Sequence, residues 1–141
     1  MAEESTTPDL VALTRQLFDA ASSGDVDALM QFYAPDAVWE TTLVTLDGSA
    51  AIRERLEEWL GAFDELEFEL EEILDLGNGV TLTVVNQRAR PAGSSSSSGG
   101  YMQRREALIG VWEQGMVTHA TTYLDIDEAR AAAERLAEQR G

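Results

Sequence analysis

Gly24-Asp25-Val26-Asp27-Ala28-Leu29-Met30-Gln31-Phe32-Tyr33-Ala34-Pro35-Asp36-Ala37-Val38-Trp39-Glu40 is the stretch that decides the fold, because a short capped helix runs directly into a strand. The Asp25 carboxylate can accept from the free N–H groups of the following turn, which makes it an N-cap, and Val26, Leu29, Met30 and Tyr33 then recur at helical spacing. Pro35 is predicted to stop that helix. Val38, Trp39, Thr41, Thr42 and Val44 are β-branched or aromatic, which favours extended backbone, so the chain is expected to enter a sheet straight after the stop.

Working outward, Pro8 suits the first turn of an upstream helix whose apolar face is Leu10, Leu13, Leu17, Phe18 and Ala21. Downstream, Asp47-Gly48-Ser49 supplies a turn and an N-cap for a third helix with Ile52, Leu56, Trp59, Leu60 and Phe63 on its apolar side and Glu54, Glu57 and Glu58 on its wet side. From residue 65 the hydrophobic period changes to 2, and Glu65-Leu66-Glu67-Phe68-Glu69-Leu70 reads as a strand. Glu71-Glu72 marks a bulge or the end of pairing. Gly77-Asn78-Gly79 turns the chain into β-rich residues 80–88, completing a hairpin. Residues 101–112 and 116–124 read as two more strands joined at Gln114-Gly115. Asp125 with Glu128 then opens a terminal helix with Ala129, Ala132, Ala133, Leu136 and Ala137 along one face. The order is α+β with a largely antiparallel sheet.

A chain of 141 residues with 44% hydrophobic content supports one core, so residues 1–141 are read as a single domain. Residues 1–7 are read as a flexible N-terminus, and the Ser/Gly-rich residues 91–100 as a flexible hairpin loop, with a lid over a pocket mouth as the alternative. The formal net charge of −16 repels polyanions, so nucleic acid is not an expected partner. All ten basic residues are arginine, and Arg88, Arg90, Arg104 and Arg105 concentrate in one short span. No cysteine occurs, which removes disulfides and thiol nucleophiles. The acidic N-terminus does not read as a signal peptide, and no run approaches the roughly 18 apolar residues of a membrane span. A cytoplasmic protein with no membrane partner is therefore expected.

Three blocks carry a resemblance: Gly24-Asp25 through Trp39, the helix from Gly48 to Phe63, and Val111-Trp112 through the Gly115 turn to Tyr123-Leu124-Asp125. Together they resemble the SnoaL-like polyketide cyclase branch of the nuclear-transport-factor-2-like and ketosteroid-isomerase-like superfamily, over residues from about 8 to 128. The resemblance implies a conical, barrel-like curved sheet wrapped around the N-terminal helices, a C-terminal helix, and a pocket open at one end.

Strand parity nominates pocket residues. Val80, Leu82 and Val84 share a face with Asn86 and Arg88, and Arg104, Glu106, Leu108, Gly110 and Trp112 share one side of the next strand. By resemblance the latter set faces the cavity, with Thr118, Ala120, Thr122 and Leu124 from the last strand and Trp39 and Thr41 from the first. The candidate site is thus an aromatic floor of Trp39, Trp59, Phe63 and Trp112, joined by Phe18 and Tyr33, beside a polar cluster of Asn86, Arg88, Arg104 and Glu106. The alternative for each aromatic is ordinary core packing, and for Arg104 and Glu106 a structural ion pair.

Carried over from ketosteroid-isomerase-like relatives, the base position falls on Thr41, the protonated acid on Leu108 and the oxyanion tyrosine on Leu17, so all three roles are vacant. Against epoxide-hydrolase-like relatives, Arg104-x-Glu106 resembles the first two members of an Asp-Arg-Asp group, and Thr122 stands in place of the second carboxylate. SnoaL-like cyclases use a single acid or histidine in the cavity, which leaves Glu106 as the candidate base and Arg104 beside it as the second catalytic candidate. Arg104 is expected to lower the Glu106 pKa. His119, the only histidine, has the parity of the outer face and is read as structural or interfacial. No metal site is predicted, and the resemblance implies no cofactor.

An outer face carrying Val85, Ile109, Val111 and Tyr123 is too apolar for water, and a homodimer through it is the expected assembly. Three functions stay open: a cofactor-independent cyclase or isomerase with Arg and Asn stabilising an oxyanion, a binding protein for a small hydrophobic or anionic molecule, and a dimeric structural domain with a filled cone.

Overall fold

The computed structural model describes residues 9–91 and 102–141. Residues 1–7, and the Ser/Gly connection beyond Pro91 with its lid alternative, lie outside the described residues.

Helix α1 (Leu10–Ser23) starts on Asp9, whose carboxylate accepts from the Ala12 N–H at 3.1 Å; the cap is therefore this carboxylate, one residue after Pro8. Asp25 caps α2 (Val26–Met30) in the same way, accepting from Ala28 N–H at 3.0 Å. That helix ends before Pro35, contrary to the expected stop. Strand β1 (Tyr33–Glu40) has already begun, because the Phe32 carbonyl accepts from Val117 N–H at 2.7 Å and Tyr33 pairs with Val117. Sheet pairing thus overrides a helical periodicity that would have carried Tyr33. Pro35, which cannot donate to a ladder, sits where the register shifts between Tyr33 and Val38, the kind of irregularity that tolerates proline.

The strand expected to run on to Val44 instead stops at Glu40. Thr41 Oγ1 accepts from Leu43 N–H at 3.1 Å and Val44 N–H at 2.9 Å, and its hydroxyl donates to the Val44 carbonyl at 2.8 Å. A threonine hydroxyl used this way builds a local turn in competition with the strand. The chain doubles back into β2 (Thr45–Asp47), paired antiparallel with β1. Gly48 holds the N-cap position of α3 (Ser49–Gly61) without a side-chain cap, and Phe63, expected on that helix, opens the next strand.

Strands β3 (Phe63–Gly77), β4 (Val80–Pro91), β5 (Met102–Glu113) and β6 (Met116–Tyr123) form successive antiparallel pairs. The Glu71-Glu72 signal is a register shift between Leu70 and Glu72 within a continuing strand. The sheet order is β2-β1-β6-β5-β4-β3, and β1 pairs with β6 in parallel, so this curved six-stranded sheet is mixed and open. Together with the four helices this is the α+β fold expected. No described helix is long and apolar enough to cross a membrane.

Two layers flank the sheet. On the concave side α1, α2 and α3 bury Leu29, Ile52 and Leu56, with Phe18 edge-on to Phe68 at 5.4 Å. On the convex side α4 (Ile126–Arg140), capped by Asp125 accepting from Glu128 N–H at 3.0 Å, lays Ala129, Ala133 and Ala137 on Val80, Leu82, Ala107 and Ile109. Small side chains at this spacing let the helix axis approach the sheet closely. Its C-terminal end is tied down by Asn78 Nδ2 donating to the Ala137 carbonyl at 2.7 Å and Arg140 Nε donating to the Asn78 carbonyl at 2.9 Å.

That helix changes the reading of the outer face. Ile109 and Tyr123 pack in the α4 cluster, and Val85 lies on the opposite side, directly across from Glu106. The four residues nominated for self-association therefore do not form one uncovered patch.

Candidate functional site

β5 presents Glu106, Leu108, Gly110 and Trp112 to the concave side, the side that the resemblance implied for this set. Its partner register is what parity could not supply. Val85 opposes Glu106, Gln87 opposes Arg104, and Thr83 opposes Leu108, so Asn86 and Arg88 face the convex side. Both drop out of the candidate site. Arg88 is 3.5 Å from Glu67, and Asn86 Oδ1 accepts from Gln103 Nε2 at 3.3 Å. The error arose because β4 is buried on both faces from Val80 to Val85, so its apolar set marks the α4 side as readily as the cavity side.

β6 shows a related shift: a bulge between Val111 and Trp112 turns Val117 inward to pack with Trp112, while Ala120 and Thr122 keep the predicted concave parity. His119 lies on the convex side as expected, its Nε2 at 2.6 Å from Glu40 Oε2.

Among the described residues, two spaces on the concave side bear on the site. A small inner cavity of about 50 Å³ is lined by Leu17, Phe18, Tyr33, Thr81, Leu108 and Trp112, among others. The positions corresponding to the isomerase tyrosine and acid, Leu17 and Leu108, therefore meet here in an apolar space. Burial pushes the Tyr33 phenol up to about 12, so it stays protonated. Trp112 is buried core, its indole N–H donating to Thr81 Oγ1 at 3.0 Å.

The second cavity, about 110 Å³, is lined by Trp39, Thr41, Thr42, Leu43, Arg55, Trp59, Arg104, Glu106 and Thr122. It brings together Trp39, Thr41, Trp59, Arg104, Glu106 and Thr122 from the predicted set. Phe63 is left beside it, edge-on to Trp59 at 6.3 Å. The cavity is open to solvent, and two of its lining residues are well exposed: Arg104, and Leu43 at 83% in the 41–44 turn. Sequence reasoning missed Arg55, Thr42 and Leu43. Arg55 stands four residues before Trp59 on one helix face, a spacing that could have paired them.

Glu106 is the chemical centre. The residue is 7% exposed, and Arg104 Nε and Nη2 both donate to its Oε1, at 3.0 and 2.8 Å. Its Oε2 accepts no hydrogen bond from any described residue. Desolvation raises the carboxyl above its ordinary value and outweighs the attraction of Arg104, reversing the expected direction. The reason is that Arg104 is more than half exposed, so water screens its charge while Glu106 bears the cost of burial.

Other groups are arranged around it. Trp39 Nε1–H donates to Thr122 Oγ1 at 3.0 Å, which leaves the threonine proton available as a donor. Thr41, by contrast, spends its hydroxyl inside the turn. Gln87 shares the concave face next to Arg104, is 7% exposed, and its Oε1 has no partner among the described residues. An unpaired buried amide is costly, so Gln87→Met is expected to stabilise the protein by about 1 kcal/mol, read as a rise of roughly 2–4 °C in melting temperature. A fall would mean the amide is satisfied.

No group of three or more His, Cys, Asp or Glu side chains suited to a metal ion occurs among the described residues. What fold and geometry define is an open α+β cone with a small solvent-reaching pocket and a buried carboxylate in its wall. A family model for the SnoaL-like domain matches residues 14–120, and the chain belongs to that family. A comparison with curated protein sequences returns no match.

Among solved structures, the chain is similar to an NTF2-like protein of unknown function from Burkholderia pseudomallei K96243, with a TM-score of 0.71 at 13% identity over 90% of this chain and 98% of that one. It is similar to a candidate SnoaL-like polyketide cyclase from Shewanella denitrificans OS-217, with a TM-score of 0.71 at 14% identity over 92% and 99%. A third similarity is to a protein with a ketosteroid-isomerase-like fold from Catenulispora acidiphila DSM 44928 in complex with trimethylamine, with a TM-score of 0.70 at 12% identity over 91% and 94%. At these identities the likeness is one of fold.

Proposed function

We propose that the chain binds a small organic molecule in the cavity between Trp39, Trp59 and Glu106, and that Glu106 exchanges a proton with it without a cofactor, in the manner of a cyclase or isomerase. The observation that carries this reading is a nearly buried carboxylate in the wall of a solvent-reaching cavity, with one oxygen held by arginine and the other unpartnered among the described residues. A carboxyl whose pKa is raised is a stronger base when ionised and a better proton reservoir near neutral pH than an exposed one. Arg104 and the Thr122 hydroxyl supply donors for a developing oxyanion. They replace the Arg88 and Asn86 donors expected from sequence.

Binding without turnover is the second reading, favoured by the vacancy of the isomerase positions. Thr41 is locked in a turn, while Leu17 and Leu108 line the other cavity. A filled structural cone is disfavoured because Trp112 packs into the core and leaves the outer cavity open.

The test is a panel of small enolisable carbonyl compounds read by melting temperature and tryptophan fluorescence, followed by proton NMR of each hit in deuterated buffer. A ligand at a hundred times its Kd is expected to raise the melting temperature by on the order of 5–10 °C. The catalytic reading requires deuterium exchange at the acidic carbon with the wild type and its loss in Glu106→Gln. Hits that bind both proteins equally and exchange with neither would leave only the binding reading standing.

A further inference from the structure

We infer that the ligand of this pocket is a small planar monoanion, a carboxylate on about a single ring, whose charge is met by Arg55 of α3, which lines the cavity together with Arg104. The inference rests on the small-molecule reading above and narrows it to a ligand class.

Charge is the first ground. The chain carries a net −16, yet among the described residues the ionisable side chains lining this cavity are two guanidiniums, Arg55 and Arg104, against the carboxylate of Glu106. The wall is net positive whether Glu106 is ionised or protonated. The trade that neutralises other arginines is incomplete here. Arg53, Arg105 and Arg130 all hold carboxylates at hydrogen-bonding distance, whereas among the described residues the carboxylate nearest Arg55 is exposed Glu58, at 4.0 Å. Arg104 directs Nε and Nη2 to Glu106 and keeps Nη1 without a partner among the described residues. Two unsaturated forks at one cavity favour an anionic acceptor and disfavour a cation.

Size and shape are the second ground. At about 110 Å³ the cavity is smaller than the roughly 150 Å³ engineered cavity that accepts benzene, so a single ring is the upper limit of what it takes and the carboxylate must project toward the open mouth. A polycyclic molecule would require displacement of the 41–44 turn. The indoles of Trp39 and Trp59 provide flat apolar wall, suited to a ring whose polar end reaches the arginines.

A coupling follows. An anion beside Glu106 is repelled by its ionised form, so neutralising that side chain is expected to strengthen anion binding. Arg55, Arg104 and Glu106 are the ionisable side chains lining this cavity among the described residues.

The experiment is calorimetric and fluorescence titration of the full chain at low ionic strength with three probes: benzoate, its neutral counterpart benzamide, and trimethylammonium. Benzoate is expected to bind about tenfold or more tighter than benzamide. Arg55→Gln, a change at a half-exposed helix position, is expected to bring the two to near parity, chiefly by weakening benzoate. Glu106→Gln is expected to tighten benzoate. Benzamide binding as well as benzoate to wild type, or trimethylammonium binding best, would overturn the anion class and leave the small-molecule pocket intact. An unchanged benzoate preference in Arg55→Gln would remove Arg55 from recognition. Failure of all three probes at millimolar concentration would overturn the inference together with the single-ring pocket on which it rests.

Discussion

Glu106→Gln is expected to lose about a hundred- to ten-thousand-fold of any proton-transfer rate while melting at a higher temperature than the wild type at pH 7. The two effects share one cause. Glu106 sits in the wall of a cavity that reaches solvent but is itself nearly buried, and the desolvation of its charge exceeds what screened Arg104 returns. Its folded pKa is therefore above its unfolded value near 4.5, and the folded state binds the proton more tightly. Stability consequently falls as pH rises from the unfolded value through the folded one, and above that window the ionised carboxylate carries its full cost. Glutamine removes the cost and keeps the shape and an acceptor for Arg104. Melting curves of both proteins between pH 4 and 8 should diverge toward neutrality and converge below the ordinary glutamate range. A variant less stable than wild type at pH 7 would identify the Arg104–Glu106 pair as a net structural asset.

Trp112→Ala is expected to cost about 3–5 kcal/mol, a fall of roughly 6–20 °C in melting temperature, and Trp39→Ala distinctly less. Trp112 packs with Leu10, Val117 and Ala120, and truncation would merge its volume with the inner cavity of about 50 Å³. It would also strip Thr81, itself 2% exposed, of the indole donor at 3.0 Å. Trp39 is half-buried, lines the outer cavity and orients Thr122, so its loss should appear chiefly in ligand binding. Thermal melts and ligand-induced fluorescence changes on the two variants separate these roles. Equal destabilisation by both would contradict the division of the tryptophans into core and cavity wall.

The parts of this molecule that sequence makes legible are those governed by local chemistry. Asp25 and Asp125 cap their helices, Gly77-Asn78-Gly79 turns the β3–β4 hairpin with positive φ at all three residues, and the alternation of Arg104, Glu106 and Leu108 assigns one face of β5. What sequence hides depends on partners distant in the chain. Tyr33 fits the α2 periodicity until pairing with Val117 claims it for β1. Thr41, Thr42 and Val44 have strand-like chemistry until one hydroxyl closes a turn. The face of β4 is illegible because α4 buries one side and the concave core the other, so alternation there carries no polarity signal; Asn86 and Arg88 were misplaced for that reason, and Gln87 overlooked. Glu106, Arg104, Trp39, Thr41, Trp59 and Thr122, which line the cavity, are the residues that sequence and resemblance nominate. Arg55 and the charge balance of the cavity required the packing of α3 over the sheet.

The most direct measurement is a carbon-detected NMR titration of the Glu106 side-chain carboxyl in the wild-type chain. A midpoint above the ordinary glutamate value of 4.5, shifting when a pocket ligand is added, is the expected result. A midpoint at or below that value, indifferent to every ligand that binds, would mean that Arg104 governs the carboxylate and that the pair is structural.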